Sequence, residues 1–171
     1  SVSLGFSLAP DGTLYARARG VPSPARDGTK LSTALELRRT SGGALVREVV
    51  PSPGREILGA VFLPDRSHLV CRELGEADPL DPSKEREMVV IRRLDDGAPV
   101  ASIAMPGLSS PGLCVDPTGT RIFAGLRDGT IRVVAFVRPA PGQPPELHEV
   151  LTLVSDYWMD TPTISPDGKR L

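Results

Sequence analysis

The chain has 171 residues, 40% of them hydrophobic and 24% charged, with a formal net charge of −1, the balance of a soluble globular protein. Near-neutrality excludes the basic excess that draws proteins to nucleic acid or anionic membranes, and no run of 18 apolar residues is present to span a bilayer as a helix. The N-terminus lacks the basic stretch and long apolar core of a signal peptide, so localisation stays open with the cytoplasm favoured.

Residues 4–9 alternate large apolar and small residues and predict a half-buried strand, which Pro10-Asp11-Gly12 turns back into a second strand at 14–19. A loop of Pro, Asp, Ser and Gly is expected over 21–30, then a third strand at 31–39, a turn at 40–43 and a fourth strand at 44–50. The same order returns with strands at 57–63 and 68–74, a surface loop at 75–86, and strands at 87–94 and 99–104 around an Asp95-Asp96-Gly97 turn. It returns again at 112–115 and 120–126, then 130–137 after the Arg127-Asp128-Gly129 turn. There the 138–145 link is rich in proline and leads to a strand at 147–154. A further unit is expected to open at 161 and to reach its first turn by 171.

Each unit carries the same proline-anchored turn, at Pro10, Pro64, Pro117 and Pro166. The prolines stand 54, 53 and 49 residues apart, the signature of a repeat architecture. Helical spacing is absent almost everywhere, so the class is all-β, with units at about 4–50, 57–104 and 112–154 and a fourth begun at about 161–171. Because each unit buries its faces only against neighbours, the expectation is a segment of a larger protein, or two copies joining, so that the array closes.

Seventeen of the 20 basic residues are arginine and are spread through all units, which reads as a solvated surface. Arg38-Arg39 and Arg92-Arg93 fall at matching places and read as strand ends. Cys71 and Cys114 lie within apolar runs and are expected to pack as small hydrophobes, and no CxxC or HExxH pattern is present to hold a metal. His68 and His148 stand at strand starts away from any Gly-x-Ser-x-Gly turn, so no nucleophilic set is expected. Glu76, Asp78 and Asp81 are interleaved with proline and balanced by Lys84 and Arg86, as in a solvated loop. Asp156 and Asp160 read as turn and strand-entry residues rather than an acid–base pair. No catalytic residue, cofactor or metal is expected.

The stretch Gly125-Leu-Arg-Asp128-Gly129-Thr130-Ile-Arg-Val-Val134 resembles the second hairpin of a WD40 repeat, and Ser165-Pro-Asp-Gly-Lys-Arg-Leu171 resembles the hairpin opening the next. The turns around Thr40–Gly43 and Asp95–Gly97 are similar to the family's turn at that place, and Trp158, eight residues before Pro166, falls where such repeats often carry tryptophan. The resemblance covers essentially the whole chain and implies a β-propeller of four-stranded antiparallel blades. The Trp-Asp and Gly-His dipeptides of the family are missing, with Val134-Ala135 in place of the first. The hydrogen-bonded network in which Asp128 would be a member is therefore expected to be incomplete. The run from Asp160 to Gly168 is also similar to propellers of the TolB type.

The function expected is a non-catalytic protein–protein interaction scaffold, a WD40-like propeller segment offering its inter-blade loops to a protein partner. Asp156, Tyr157, Trp158 and Met159 are the candidate partner-binding residues, because large aromatics with a polar tip dominate binding energies. The alternative is a segment of a TolB-like or lactonase-like propeller with a ligand-binding or enzymatic role. That reading needs acids or histidines at the inner ends of first strands, where Ser3, Ser7, Ser109, Ser110 and Thr163 stand instead.

Overall fold

Alternating apolar and polar residues cut by Pro-x-Gly turns produce strands throughout the computed structural model, which describes residues 6–22, 31–75, 87–138, 143–154 and 162–171. The first sheet holds β1 (Phe6–Leu8), β2 (Leu14–Pro22), β3 (Leu31–Arg39) and β4 (Leu45–Val49). The second holds β5 (Arg55–Phe62), β6 (His68–Gly75), β7 (Glu87–Arg93) and β8 (Pro99–Ala104). The third holds β9 (Leu108–Val115), β10 (Arg121–Leu126), β11 (Thr130–Val137) and β12 (Glu146–Val154). Every sheet is an antiparallel meander in chain order, so the fold is all-β and its sheets are propeller blades.

The blades stack face to face. β5 lies against β1, β2 and β3, β9 lies against β5, and β12 meets β8. Between the first and second blades, Ala16, Leu35, Leu37 and Val49 pack on Ile57, Ala60, Phe62, Leu69 and Cys71. Between the second and third, Val70, Val89, Ile91 and Met105 pack on Leu113, Ile122, Ala124 and Val134. Strand alternation sends neighbouring residues of one strand to opposite junctions. Leu69 and Cys71 thus face the first blade while Val70 faces the third. The far side of the third blade carries Phe123, Ile131 and Val133, covered in part by Ile164.

The four proline turns share one geometry. Gly12 N donates to Ala9 O, Arg66 N to Leu63 O, Gly119 N to Asp116 O and Gly168 N to Ser165 O, at 2.8–3.2 Å. Proline occupies the second position, where its fixed φ suits the turn. The fourth position is left-handed in all four turns, with φ of 69°, 59°, 70° and 70°. Glycine supplies that conformation three times, and Arg66 is the one non-glycine residue with positive φ among the described residues. The turns also touch across junctions. A Cβ on Gly119 would stand 3.0 Å from Cδ of Pro64, and one on Gly168 would stand 3.4 Å from Cδ of Pro117. Each glycine is therefore seated on the proline of the preceding blade's turn.

Several boundaries differ from the sequence expectation. β2 runs on to Pro22 and β6 to Gly75, because the ladders continue through Pro22↔Leu31 and Arg55↔Gly75 before the loops leave the sheet. β9 starts at Leu108 rather than 112. Its register against β10 shifts between Ala124 and Leu126, and Gly112 with φ 36° absorbs the irregularity. Residues 162–165 form no strand: the turn is closed by Ser165 N to Arg170 O, with no ladder beyond it.

Gly12→Ala and Gly119→Ala separate backbone strain from contact between blades. Both glycines have the same φ, but nothing lies within 4 Å of a Cβ at Gly12. In urea unfolding, Gly12→Ala should destabilise by about 1 kcal/mol. Gly119→Ala should cost about 1–2 kcal/mol more, because the added methyl must displace Pro64.

Candidate functional site

Asp156, Tyr157, Trp158 and Met159, the predicted partner-binding residues, lie outside the described residues, as do the loops at 23–30 and 76–86. The polar chemistry that the described residues bring together lies instead on three buried glutamates, two at blade junctions and one on the outer side of the first blade.

Glu73 is fully buried on the side of β6 that faces the first blade. Its Oε1 accepts from Arg92 Nε at 2.8 Å and Nη2 at 2.6 Å, while Oε2 accepts from the backbone N–H of Ser52 in the link between blades. Arg92, also buried, donates Nη1 to Gly97 O at 2.8 Å and Nη2 to Ser52 Oγ at 3.0 Å. One guanidinium thus ties a strand, a turn and the incoming link together.

Glu87 does the same for the next junction from the opposite face. Its Oε2 accepts from Gly107 N at 2.7 Å, and Oε1 accepts from Arg72 at 3.0 Å and from Arg127 of the third blade at 2.6 Å. Arg72 Nη2 also donates to Leu108 O at 2.9 Å, leaving Nε buried without a partner. Burial pulls the Arg72 pKa down against the pull of Glu87.

Glu36, 1% exposed in the first blade, accepts from Arg38, Arg17 and Arg19 at 2.7, 2.9 and 3.1 Å. Arg38 repeats the Arg92 pattern by donating Nη1 to Gly43 O at 2.6 Å. The bond from Arg38, then those from Arg17 and Arg19, hold the Glu36 carboxyl at about 2 although burial pushes it upward. The equivalence of Arg38 and Arg92 was readable as a 54-residue repeat. Both pairs are the strand ends expected, with β3 closing at Arg39 and β7 at Arg93, but the expected solvation is corrected for the half-buried Arg38 and the buried Arg92, because each holds a buried carboxylate that hydrophobic patterning does not reveal.

A second cluster links the blade-two turn to blade three. His68 Nδ1 lies 2.7 Å from Asp65 Oδ2 and 3.0 Å from Ser67 Oγ, and the ring meets Phe136 edge-on at 5.8 Å. Arg138 pairs with Asp65 and lies over the Phe136 ring. Burial pushes Asp65 upward, but the Ser67 N–H, His68 and Arg138 bring it below its ordinary value. Asp65 and Ser67 share one ring nitrogen, so this set lacks the relay geometry of a nucleophilic triad, which uses both. His148 pairs with Glu146 in the open at 2.8 Å.

The remaining sequence candidates are placed as follows. Asp128 accepts only from the Thr130 N–H and hydroxyl of its own turn among the described residues. Ser109 is buried and donates to Gly125 O at 2.9 Å, Ser7 is half-buried and Thr163 is exposed. Ser3 lies outside the described residues, and the Ser110 side chain is likewise not described. Cys71 is buried in the first junction and its thiol is pushed up to about 12, and Cys114 to about 11, in both cases by burial. Neither thiol is a nucleophile at neutral pH.

No protein-family model matches the chain. No curated protein matches it either. It is similar in fold to a solved structure of Kuenenia stuttgartiensis hydrazine synthase, with a TM-score of 0.64 and 12% sequence identity. The match covers 96% of this chain and 53% of that one, so the chain spans about half the length of the structure it resembles.

Two outcomes follow from the buried carboxylates. Glu73→Ala should cost about 3–5 kcal/mol in urea unfolding by stranding the Arg92 guanidinium, and Glu73→Met with Arg92→Met should cost markedly less. Glu36 titrates below its ordinary 4.5, so its contribution is fully present above that pH and is lost as pH falls toward about 2. In urea midpoints measured from pH 7 to pH 2, Glu36→Gln should flatten that acid limb while lowering the plateau.

Proposed function

We propose that this chain is a non-catalytic scaffold for protein–protein interaction, built from degenerate WD40-like blades. The observation that carries the reading is the contrast between sealed junctions and open stack ends. Leu35, Leu37, Leu69 and Ile91 are fully buried between blades, whereas Phe6 and Leu8 on the outer side of the first blade are 67% and 53% exposed. Exposed apolar side chains grouped on one face mark protein contact sites.

Internal repetition supports the same reading. Phe6, Leu8 and Tyr15 hold the positions that Ala60, Phe62 and Leu69 hold in the second blade, where they bury against a neighbouring sheet. The Phe6 and Tyr15 rings stack at 5.3 Å, beside Arg17 and Arg19. An apolar sheet from the rest of the parent chain or from a second copy would complete this side. The turn clamps and inter-blade links supply the rigidity on which loop-borne contacts depend. At 12% identity, the likeness to a hydrazine synthase carries the fold and not a reaction.

Trp158 is the proposed anchor of partner binding, in the connection leading to residues 162–171. The test is affinity capture from the native host with quantitative mass spectrometry, comparing wild type with Trp158→Ala. Partner recovery should fall by about tenfold or more, with the urea midpoint unchanged. Loss of the fold would assign Trp158 to packing instead, and unchanged recovery would remove residues 156–159 from the binding surface.

A further inference from the structure

Each blade ends on an outer strand whose free edge presents unpaired backbone donors and acceptors, a template for another strand unless something guards it. The three outer strands are not guarded alike. β4 is five residues long and carries Arg47 and Glu48, and β8 opens with Pro99, which cannot donate to a ladder. β12 is nine residues long, and its second half, Val150-Leu151-Thr152-Leu153-Val154, holds no charge and no proline.

That half is also unusually open. Val150, Leu151 and Val154 are 55%, 51% and 81% exposed, although the strand is fully laddered to β11 on its inner side through Val154↔Thr130 and Leu151↔Val133. Val150 is the bulged residue, left over where the register shifts between Val133 and Val134. Among the described residues, no backbone hydrogen bond reaches residues 150–154 from outside the β11 ladder.

The five residues are self-complementary about Thr152. If two copies meet edge to edge and antiparallel around that residue, Val150 faces Val154, Leu151 faces Leu153 and Thr152 faces Thr152. β-branched and apolar pairs directly opposite one another are those that stabilise a ladder. Within β12 the charge nearest the paired core is Glu149, whose Oε1 accepts from the Thr152 hydroxyl at 3.0 Å and whose Oε2 pairs with Arg132 of β11 at 3.4 Å, so it reaches the axis with a cation already beside it. Such a two-fold contact uses the same patch on both copies and closes after two.

We propose that β12 is a dimerisation edge: residues 150–154 pair antiparallel with the same residues of a second copy, joining two third blades into one eight-stranded sheet. This inference is independent of the scaffold reading, because it concerns the outer strand and not the loops or the open side of the first blade. The buried area is small for a stable interface, so the dimer is weak and depends on concentration.

The test is light scattering across a concentration series, with the chain itself as the probe. Wild type should shift from 18.2 kDa toward twice that mass. Thr152→Lys, which sets two ammonium groups face to face at the two-fold axis, should weaken association by about tenfold or more. The register is read by Val150→Lys with Val154→Glu, which creates complementary pairs and should restore a dimer that Val150→Lys with Val154→Lys does not form. Thr152→Cys should cross-link to itself with a short bismaleimide, because the two native thiols are held in their protonated form by burial, and Val46→Cys on β4 should not. A monomer at every concentration, a dimer indifferent to Thr152→Lys, or equal cross-linking from position 46 would each overturn the proposal. Circular dichroism on each variant checks that the fold is intact.

Discussion

The bond between Arg92 and Glu73 fixes more of this structure than any single apolar contact. A buried guanidinium has to find acceptors for a planar set of donors, and here the acceptors belong to three separate pieces of chain: a strand, a turn and the link arriving from the previous blade. Glu87 repeats the arrangement on the opposite face, taking its link through Gly107 and reaching into the third blade through Arg127. Hydrophobic burial brings the sheets together without specifying how they are offset. The charge clamps admit one offset only, because a shift of a few ångströms would leave buried ions unpaired.

That offset also explains the repeated turn. With the sheets held in register, Gly119 comes to rest on Pro64, where a Cβ would be crowded at 3.0 Å, and Gly168 on Pro117, where a Cβ would be in van der Waals contact at 3.4 Å. Glycine at this place satisfies two conditions together, a left-handed backbone and a close approach. Arg66 meets neither by its chemistry; it takes the left-handed conformation and extends toward Asp11 of the first blade, 3.9 Å away. The second blade thereby replaces a packed contact with a long, exposed ion pair, which contributes little by itself.

Much of the fold is legible in the sequence. The alternation of residues 57–63 and 68–74, the Pro-x-Gly turns and the spacing of the prolines give strand order, antiparallel pairing and four strands to a unit, since each is a local property of the chain. Less of the polar organisation was legible. Glu36, Glu73 and Glu87 look like ordinary surface acids in a linear reading, because their partners are set by register across strands: Arg17 opposite Glu36, or Arg92 four rungs from the Glu73 position. The extension of β9 back to Leu108 is not legible for a related reason. A proline and two serines weaken the strand pattern there, and pairing with Leu126 through an irregular ladder overrides it.

The sequence by itself determined the period, the turn chemistry and the sheet class, because proline, glycine and alternation act within a few residues. Only the tertiary structure decided which arginines are buried, which glutamates hold the junctions, and which edges and faces stay open. Those properties depend on residues that are distant in the chain and become neighbours when one sheet is laid on another. Phe6 and Phe62 make the point: they are similar side chains in matching first strands, yet Phe62 is 4% exposed and Phe6 is 67% exposed. The difference lies in the sheet that covers one and not the other.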